Sequence, residues 1–269
     1  MAKKKVPAKT AQSNLPALDY GDDAGLGFEN QTQADIAIPF IAILQPLSPV
    51  VTEGQVEGAK AGMLYNTVTQ DLASEITFVP ACTEHCYVEW VPREKGGGFV
   101  ARHDIHSDVV TAAKAKAKKF NDLQTPEGNE LVETFYVYVV LTNDDGDALG
   151  YAIISCESTK IKVYKGWNTR LLSTMIKRPD GSKVRPPMWA HHCRMVTKQE
   201  SNNKGTWHNP VLGPAGEDIR SSLLAADDER YQSARELRDL VQSGALNPAY
   251  DSVQRTEEAG SADDNEPPF

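Results

Sequence analysis

The sequence lacks the features of an exported or membrane protein. Four cysteines in 269 residues are too few for a disulfide scaffold. The longest apolar runs, 36–44 and 135–141, fall far short of the roughly 20 residues that a membrane-spanning helix needs. The lysines at positions 3–5 are not followed by the apolar stretch of a secretory signal. We therefore expect a soluble cytoplasmic protein with reduced thiols.

Catalytic motifs are also missing. The chain has no Gly-x-Ser-x-Gly and no His-Glu-x-x-His. The triple glycine 96–98 is not followed by the Gly-Lys-Ser/Thr of a phosphate-binding loop. These absences predict that the protein is not an enzyme and uses no cofactor. A nuclease or other DNA enzyme stays open as an alternative.

Several residues have side chains of the kind that bind zinc, but their spacing does not favour a site. The sequence has no Cys-x-x-Cys pair, and Cys82 and Cys86 stand four residues apart in a segment that reads as extended. We therefore expect no metal, with a structural zinc as the alternative. The ligand-type residues are Cys82, His85, Cys86, His103, His106, His191, His192 and Cys193.

The net charge of −9 is distributed very unevenly. Residues 156–213 contain 11 basic and three acidic side chains, a net of +8. Residues 214–269 contain 13 acidic and five basic side chains, a net of −8. Such asymmetry indicates a polyanion-binding surface beside an acidic appendage.

Aromatic residues are interleaved with the cations of the basic segment. Exposed rings stack on unpaired bases, while Lys and Arg attract phosphates, so this mixture favours binding of single-stranded nucleic acid. The alternative is that the rings are core and the charges a solvated rim. The predicted nucleic-acid-binding residues, which include a basic loop around the triple glycine and one strand face, are Arg93, Lys95, Arg102, Tyr136, Tyr138, Lys160, Lys162, Tyr164, Lys165, Trp167, Arg170, Lys177, Arg178, Lys183, Arg185, Trp189 and Arg194.

The pattern of hydrophobic residues predicts a mainly β fold with helical excursions (α+β). Short strands bounded by Pro80 and Pro92, a hairpin over 133–156, and helices over 107–120 and 160–175 carry this prediction. Antiparallel strands of this kind, together with a nucleic-acid ligand, favour an OB-like barrel core. The predicted parts are a flexible arm (1–30), an OB-like DNA-binding domain (31–215), a C-terminal helix (216–243) and a disordered acidic tail (244–269).

The last residues combine acids with a terminal aromatic ring. Residues 256–269 contain five carboxylates and no cation. A terminal Phe beside its free carboxylate offers an apolar anchor and a charge for a basic-rimmed pocket. We therefore predict that the tail binds protein partners, through Asp263, Asp264, Glu266, Pro267, Pro268 and Phe269.

Several stretches resemble the single-stranded-DNA-binding proteins of tailed phages. They are Gly27–Asn30, Ile38–Ile41, Leu44-Gln45, Ser48-Pro49, Gly62–Thr67, Tyr87–Arg93, Gly96–Phe99 and Lys165–Asn168. The tail separately resembles the acidic tip of bacterial single-stranded-DNA-binding proteins, with Pro267 as a departure from it. The resemblance implies sequence-nonspecific binding of single-stranded DNA in phage replication, recombination or repair in the host cytoplasm. It also implies recruitment of replication and recombination proteins by the tail.

The main alternative is a phage virion or scaffold protein that binds no nucleic acid. Homo-oligomer formation is possible in either case.

Overall fold

The computed structural model describes residues 21–23, 26–31, 35–119, 122–143, 145–203 and 205–250. The chain divides into two units, Met1–Thr32 and Gln33–Phe269. The described part of the first unit contains a 3-10 turn at Gly21–Asp23. All strands and α-helices named below belong to the second unit. None of the helices in the described ranges is long and apolar enough to cross a membrane.

The second unit is built mostly from strands. They are β1 (Ala37–Ile38), β2 (Ile41–Ile43), β3 (Leu64–Asn66), β4 (Leu72–Ala73), β5 (Glu75–Trp90), β6 (Phe99–Asp104), β7 (Glu130–Thr142), β8 (Ala148–Glu157), β9 (Ile176–Lys177), β10 (Lys183–Val184), β11 (Cys193–Asn202), β12 (Gly205–Pro214) and β13 (Asn247–Pro248). The α-helices are α1 (Pro49–Thr52), α2 (Asp108–Lys116), α3 (Lys160–Ser173) and α4 (Glu229–Ser243).

A central antiparallel sheet has the strand order β12-β11-β5-β7-β8, with β6 added to the second half of β5. Strand β7 lies inside the sheet, between β5 and β8. Its sequence is apolar at successive positions because both of its faces are covered, which removes the usual alternation of apolar and polar residues. The hairpin predicted over 133–156 is confirmed as β7 and β8.

Two hydrophobic cores lie on opposite faces of this sheet. Odd-numbered residues of β7, such as Val137 and Val139, pack with Trp167 of α3. Even-numbered residues, such as Tyr136 and Tyr138, pack with Leu237 of α4. The two helices therefore cover different faces, and any surface beside α3 is separated from α4 by the sheet.

The mainly β, antiparallel fold is confirmed, but the expected barrel is not formed. Among the described strands, no ladder joins the two edge strands β8 and β12. The segment 39–45, which contains β2, bridges the gap instead: the Ile153 N–H of β8 donates to the Pro39 carbonyl at 2.9 Å. At the other end, the Gln45 amide bonds the His208 backbone of β12 at 2.9 and 2.8 Å. Pro39 and Pro46 flank this bridge and lack the N–H donors of a continuous ladder.

Strand β5 corrects the prediction of two short strands bounded by prolines. It runs without interruption from Glu75 to Trp90. The register shifts by one residue between Pro80 and Cys82. A bulge of this kind accommodates a proline within a sheet, because the ladder is already disrupted there.

The predicted helices over 107–120 and 160–175 are confirmed as α2 and α3. The Ser107 side chain caps α2 by accepting from the Val110 N–H, as its position before the helix predicts. The C-terminal helix begins only at Glu229, because Asp228 caps it through the Arg230 N–H. The domain boundaries stay predictions.

Candidate nucleic-acid interface

Helix α3 presents cations to solvent because its apolar residues form one buried stripe. Tyr164, Trp167 and Leu171 recur at three- and four-residue spacing and pack on the sheet. Lys162 and Arg170 are exposed on the remaining surface. A nitrogen of Arg170 also donates to the Leu212 carbonyl at 2.9 Å, which holds this cation beside β12.

A two-stranded ribbon of residues 176–185, here called the basic ribbon, follows α3. Its turn contains Gly181 at φ +85°, and the Asp180 carboxylate accepts from the N–H and O–H of Ser182 at 2.8 and 2.6 Å. Lys177 and Lys183 are directly opposed across the ribbon. Like charges in that position destabilise a strand pair. A contribution to the stability of the ribbon therefore does not explain why lysines occupy these two positions.

Apart from Lys160, the cations of α3 and of the basic ribbon are not neutralised by any described carboxylate. Within the described part of the chain, no ion pair involves Lys162, Lys165, Arg170, Lys177, Arg178, Lys183 or Arg185. The one carboxylate of the ribbon is occupied by Ser182, whose hydrogen bonds lower the pKa of Asp180. A surface with this excess of positive charge attracts polyanions.

Four rings form a row on the face of the sheet that α3 covers. This aromatic row consists of Tyr87, His85, Phe135 and Tyr164. Ring centroids are 4.1 Å apart for His85 and Phe135 and 4.7 Å apart for Phe135 and Tyr164, both nearly parallel. His85 and Tyr87 follow at 6.3 Å. His85 and Phe135 meet because they are cross-strand partners on β5 and β7.

A lysine lies over the row near each end. The Lys114 ammonium of α2 is 4.7 Å from the centre of the Tyr87 ring. The Lys165 ammonium of α3 is 5.6 Å from the centre of the Phe135 ring. Cations at this distance from a ring face are attracted to it. Burial of Tyr87 and the nearby Glu133 carboxylate raise the pKa of Tyr87 to about 12, so its hydroxyl stays neutral.

The predicted aromatic platform is largely buried. Tyr136, Tyr138, Tyr164 and Trp167 are all core residues in this structure. Tyr136 and Tyr138 also lie on the α4 face of the sheet, away from the cations of α3. As placed here these four side chains hold the fold together and offer no free ring face. Trp189 is half-buried, with the Arg238 guanidinium 5.4 Å from its ring.

The remaining predicted cations are dispersed over the fold. Arg102 forms an ion pair with Glu84 at 2.6 Å, and Tyr138 donates to the same carboxylate at 2.9 Å. Arg194 lies 3.6 Å from Glu75. Lys95 is exposed in a 3-10 turn at Arg93–Lys95, beside the triple glycine. Lys160 begins α3 and lines a cavity of about 70 Å³ behind β2.

The ligand-type His and Cys residues are spread over the fold. In the described ranges, no three His, Cys, Asp or Glu side chains are grouped as a metal site would require. Cys86, Cys156 and Cys193 are buried, Cys82 is half-buried, and none of the four forms a disulfide. Burial raises the pKa of Cys82, Cys86 and Cys193 to about 12, so these thiols are neutral at ordinary pH. His85 and His103 are bound instead to single carboxylates, Glu133 and Glu89.

Sequence reasoning missed three residues of this surface: His85, Phe135 and Lys114. The ring pair depends on the register between β5 and β7, since His85 and Phe135 are 50 residues apart in the chain. One weak indication of the pair was present in the sequence: both rings lie in segments that are predicted to be strands. The predicted partner-binding tail, 256–269, lies outside the described residues.

A comparison with protein families decides the origin of the chain. The family described as Pam3 phage gp34-like protein matches residues 8–247. The chain belongs to the Pam3 phage gp34-like family. The match confirms the phage part of the resemblance and ends before the acidic tail. Neither the curated proteins nor the solved structures contain a match to this phage protein.

Proposed function

We propose that the protein is a sequence-nonspecific single-stranded-DNA-binding protein acting in phage DNA replication, recombination or repair. The observation that carries this proposal is the opposed pair Lys177 and Lys183. The pair costs stability and has no carboxylate partner among the described residues. A polyanion lying along the ribbon would neutralise both charges, so a phosphate backbone is the ligand that best accounts for the pair.

A single strand fits the proposal better than a duplex. The aromatic row and the α3 cations lie on the same face of the sheet. Single-strand binders combine a cationic track with rings on which unpaired bases stack. Tyr87, Phe135 and Tyr164 are buried, so the half-exposed His85 is the ring of the row that could stack on an unpaired base. Bases within a duplex present no free ring faces, so His85 would contribute nothing to duplex binding.

The acidic tail is assigned the second role, recruitment of replication and recombination proteins in the host cytoplasm. Its support is the sequence alone: five carboxylates and a terminal Pro-Phe in 256–269. The same acids compete with DNA for the protein's own cations, because both are polyanions.

The direct test is fluorescence anisotropy of a labelled oligo-dT and of a labelled duplex, with the full chain at several salt concentrations. This readout is preferable to intrinsic fluorescence, because Trp90, Trp167 and Trp207 are buried. If about five cations contact phosphates, log affinity falls with log salt at a slope near −3.5. Absence of oligo-dT binding at low salt contradicts the proposal and favours the virion or scaffold alternative.

Removing positive charges from the basic ribbon then tests whether the ribbon contacts the phosphates of the DNA. Replacing Lys177, Arg178 and Lys183 by Gln should make the salt slope shallower by about 2, since each phosphate contact contributes roughly 0.7. Arg185 is left intact because its Nε donates to the Leu172 carbonyl at 2.6 Å. The matched control replaces three exposed cations elsewhere, Lys60, Arg220 and Arg235, by Gln. Equal loss in the two variants would indicate a general charge effect and would remove the ribbon from the site.

A further inference from the structure

We propose that the His85 imidazole is a stacking platform for one base of the bound strand, with Lys114 and Lys165 holding phosphates on either side. The inference rests on the proposed function and names a subsite within it. It follows from the order of the stacked rings, from a gap in the pairing of β5, and from the way in which Glu133 holds the imidazole.

The order of the stacked rings leaves His85 at one end. Phe135 stacks on both His85 and Tyr164, at 4.1 and 4.7 Å. Phe135 is therefore the middle ring of this stacked set. Tyr164 is a buried core residue, with Trp167 6.3 Å away. His85 therefore ends the stacked part of the row.

The edge of β5 beside His85 has no neighbouring strand among those described. On the side away from β7, strand β11 pairs with β5 only from Glu75 to Phe78. Strand β6 pairs with β5 only from Cys86 onwards. Between these ladders, no described strand pairs with that edge of β5. About a third of the His85 side chain is exposed, whereas its stacking partner Phe135 is a buried residue.

The imidazole of His85 is held in a fixed orientation. Its Nε2–H donates to the Glu133 carboxylate at 2.8 Å, because an ionised carboxylate can only accept. Glu133 is mostly buried. Stacking on one face and a hydrogen bond at the edge hold the ring in one plane before any ligand arrives. A fixed platform loses little conformational entropy on binding, which favours affinity.

The two lysines supply the charge. The Lys114 ammonium lies over Tyr87 on one side of His85, and the Lys165 ammonium lies over Phe135 on the other. They come from different helices, α2 and α3, so the imidazole lies between two cationic rims. A base on His85 would place its neighbouring phosphates toward these rims. An uncharged planar ligand would gain the stacking contact alone.

The test places an indole at the platform. In His85→Trp, oligo-dT should quench the new tryptophan strongly, because a stacked base quenches indole emission. The control is Leu149→Trp at an exposed position of β8, where no quenching beyond that of the natural tryptophans is expected. Anisotropy is measured on the same samples.

The outcomes separate the two proposals. Binding by anisotropy without extra quenching in His85→Trp overturns the platform and leaves the proposed function standing. No anisotropy change with the natural sequence overturns the proposed function itself. Quenching in His85→Trp and not in Leu149→Trp supports both.

A second pair of variants decides the matter if the larger indole disturbs the fold. His85→Ala should weaken oligo-dT binding about 5- to 150-fold, the range for loss of one stacked base. His85→Phe keeps a ring on Phe135 but cannot bond Glu133, and should retain affinity within a few-fold. Equal weakening in both variants, or none in His85→Ala, overturns the platform.

Discussion

At the scale of single residues, His191 is buried at 2% exposure and carries a ring nitrogen without a hydrogen-bond partner. Burial lowers the pKa of His191 to about 4, from an ordinary value near 6.5. Between pH 6.5 and pH 4, the His191 imidazole therefore binds a proton in the unfolded chain and not in the folded chain. The stabilising effect of the neutral ring is complete above pH 6.5 and is lost progressively as the pH falls toward 4.

The prediction is a drop in the free energy of unfolding of about 3 kcal/mol between pH 7 and pH 4 from this group. His191→Asn should lose less stability over the same window, although it starts lower. Urea unfolding at pH 7, 6, 5 and 4.5 measures the difference. His106→Asn, at an exposed histidine, is the matched control and should follow the natural sequence. His192 shares the direction of the shift and contributes in the same window.

The side chain of Gln45 makes the hydrogen bonds that a neighbouring strand would otherwise make with β12. Its buried amide donates to and accepts from the His208 backbone, as a strand residue would. Gln45→Met keeps the length and leaves an N–H and a carbonyl of β12 unsatisfied. We expect a loss of about 2–4 kcal/mol in the free energy of unfolding. Urea unfolding of Gln45→Met and of the exposed Gln55→Met distinguishes this loss from that of any glutamine.

At the scale of elements, we expect a charge reversal in the basic ribbon to raise the stability of the fold and to weaken DNA binding. Lys177→Glu converts the repulsion across from Lys183 into an attraction and should stabilise the fold by about 0.5 kcal/mol. The same change should weaken oligo-dT binding more than Lys177→Gln does, because it adds a repelled charge. Thermal unfolding and anisotropy are measured on both variants. A change of the same sign in stability and affinity would contradict a binding role for the ribbon.

Local sequence patterns predicted the helices and the hairpin. They did not predict the register between strands that are distant in the chain. The periodicity of 160–175 and the Ser107 cap determine α3 and α2 through contacts within one turn. The same periodicity explains why cations and aromatics alternate along α3: the rings form its buried face and the cations its exposed face. The sequence could not distinguish that arrangement from an aromatic binding platform, since both require the same spacing. The His85–Phe135 stack depends on how β5 pairs with β7, which no local pattern determines.

At the scale of the whole molecule, the charge asymmetry is the feature that the sequence carries best. Residues 156–213 have a net charge of +8 and residues 214–269 a net charge of −8. The structure places six exposed cations of the first block on α3 and the basic ribbon, and Arg194 and Lys198 on β11. The barrel was mispredicted at this scale, because closure depends on whether β8 and β12 pair and not on the strands themselves.

Removing residues 256–269 tests the tail as a competitor. We expect oligo-dT affinity to rise or stay unchanged, because five carboxylates that compete with phosphates are lost. Binding of replication proteins, measured by pull-down from phage-infected cells, should be abolished. The comparison chain replaces Phe269 by Ala, which keeps every acid and removes the apolar anchor. Weaker DNA binding after the deletion would contradict the competitor role.

The pairing of β1 with β13 also has a mechanical consequence. The two strands run parallel, with Ala37 beside Asn247 and Ile38 beside Pro248, and the Ala249 N–H donates to the Ile38 carbonyl. The chain enters β1 from one end of this pair and leaves β13 from the other. A partner that pulled on the C-terminus, against a load on the N-terminus, would load these bonds in shear. Bonds loaded in shear break together, so the β1–β13 pair would resist tension between the two ends of the chain. The Tyr250 ring, which stacks on Phe99 at 4.2 Å, lies next to this pair in the sequence.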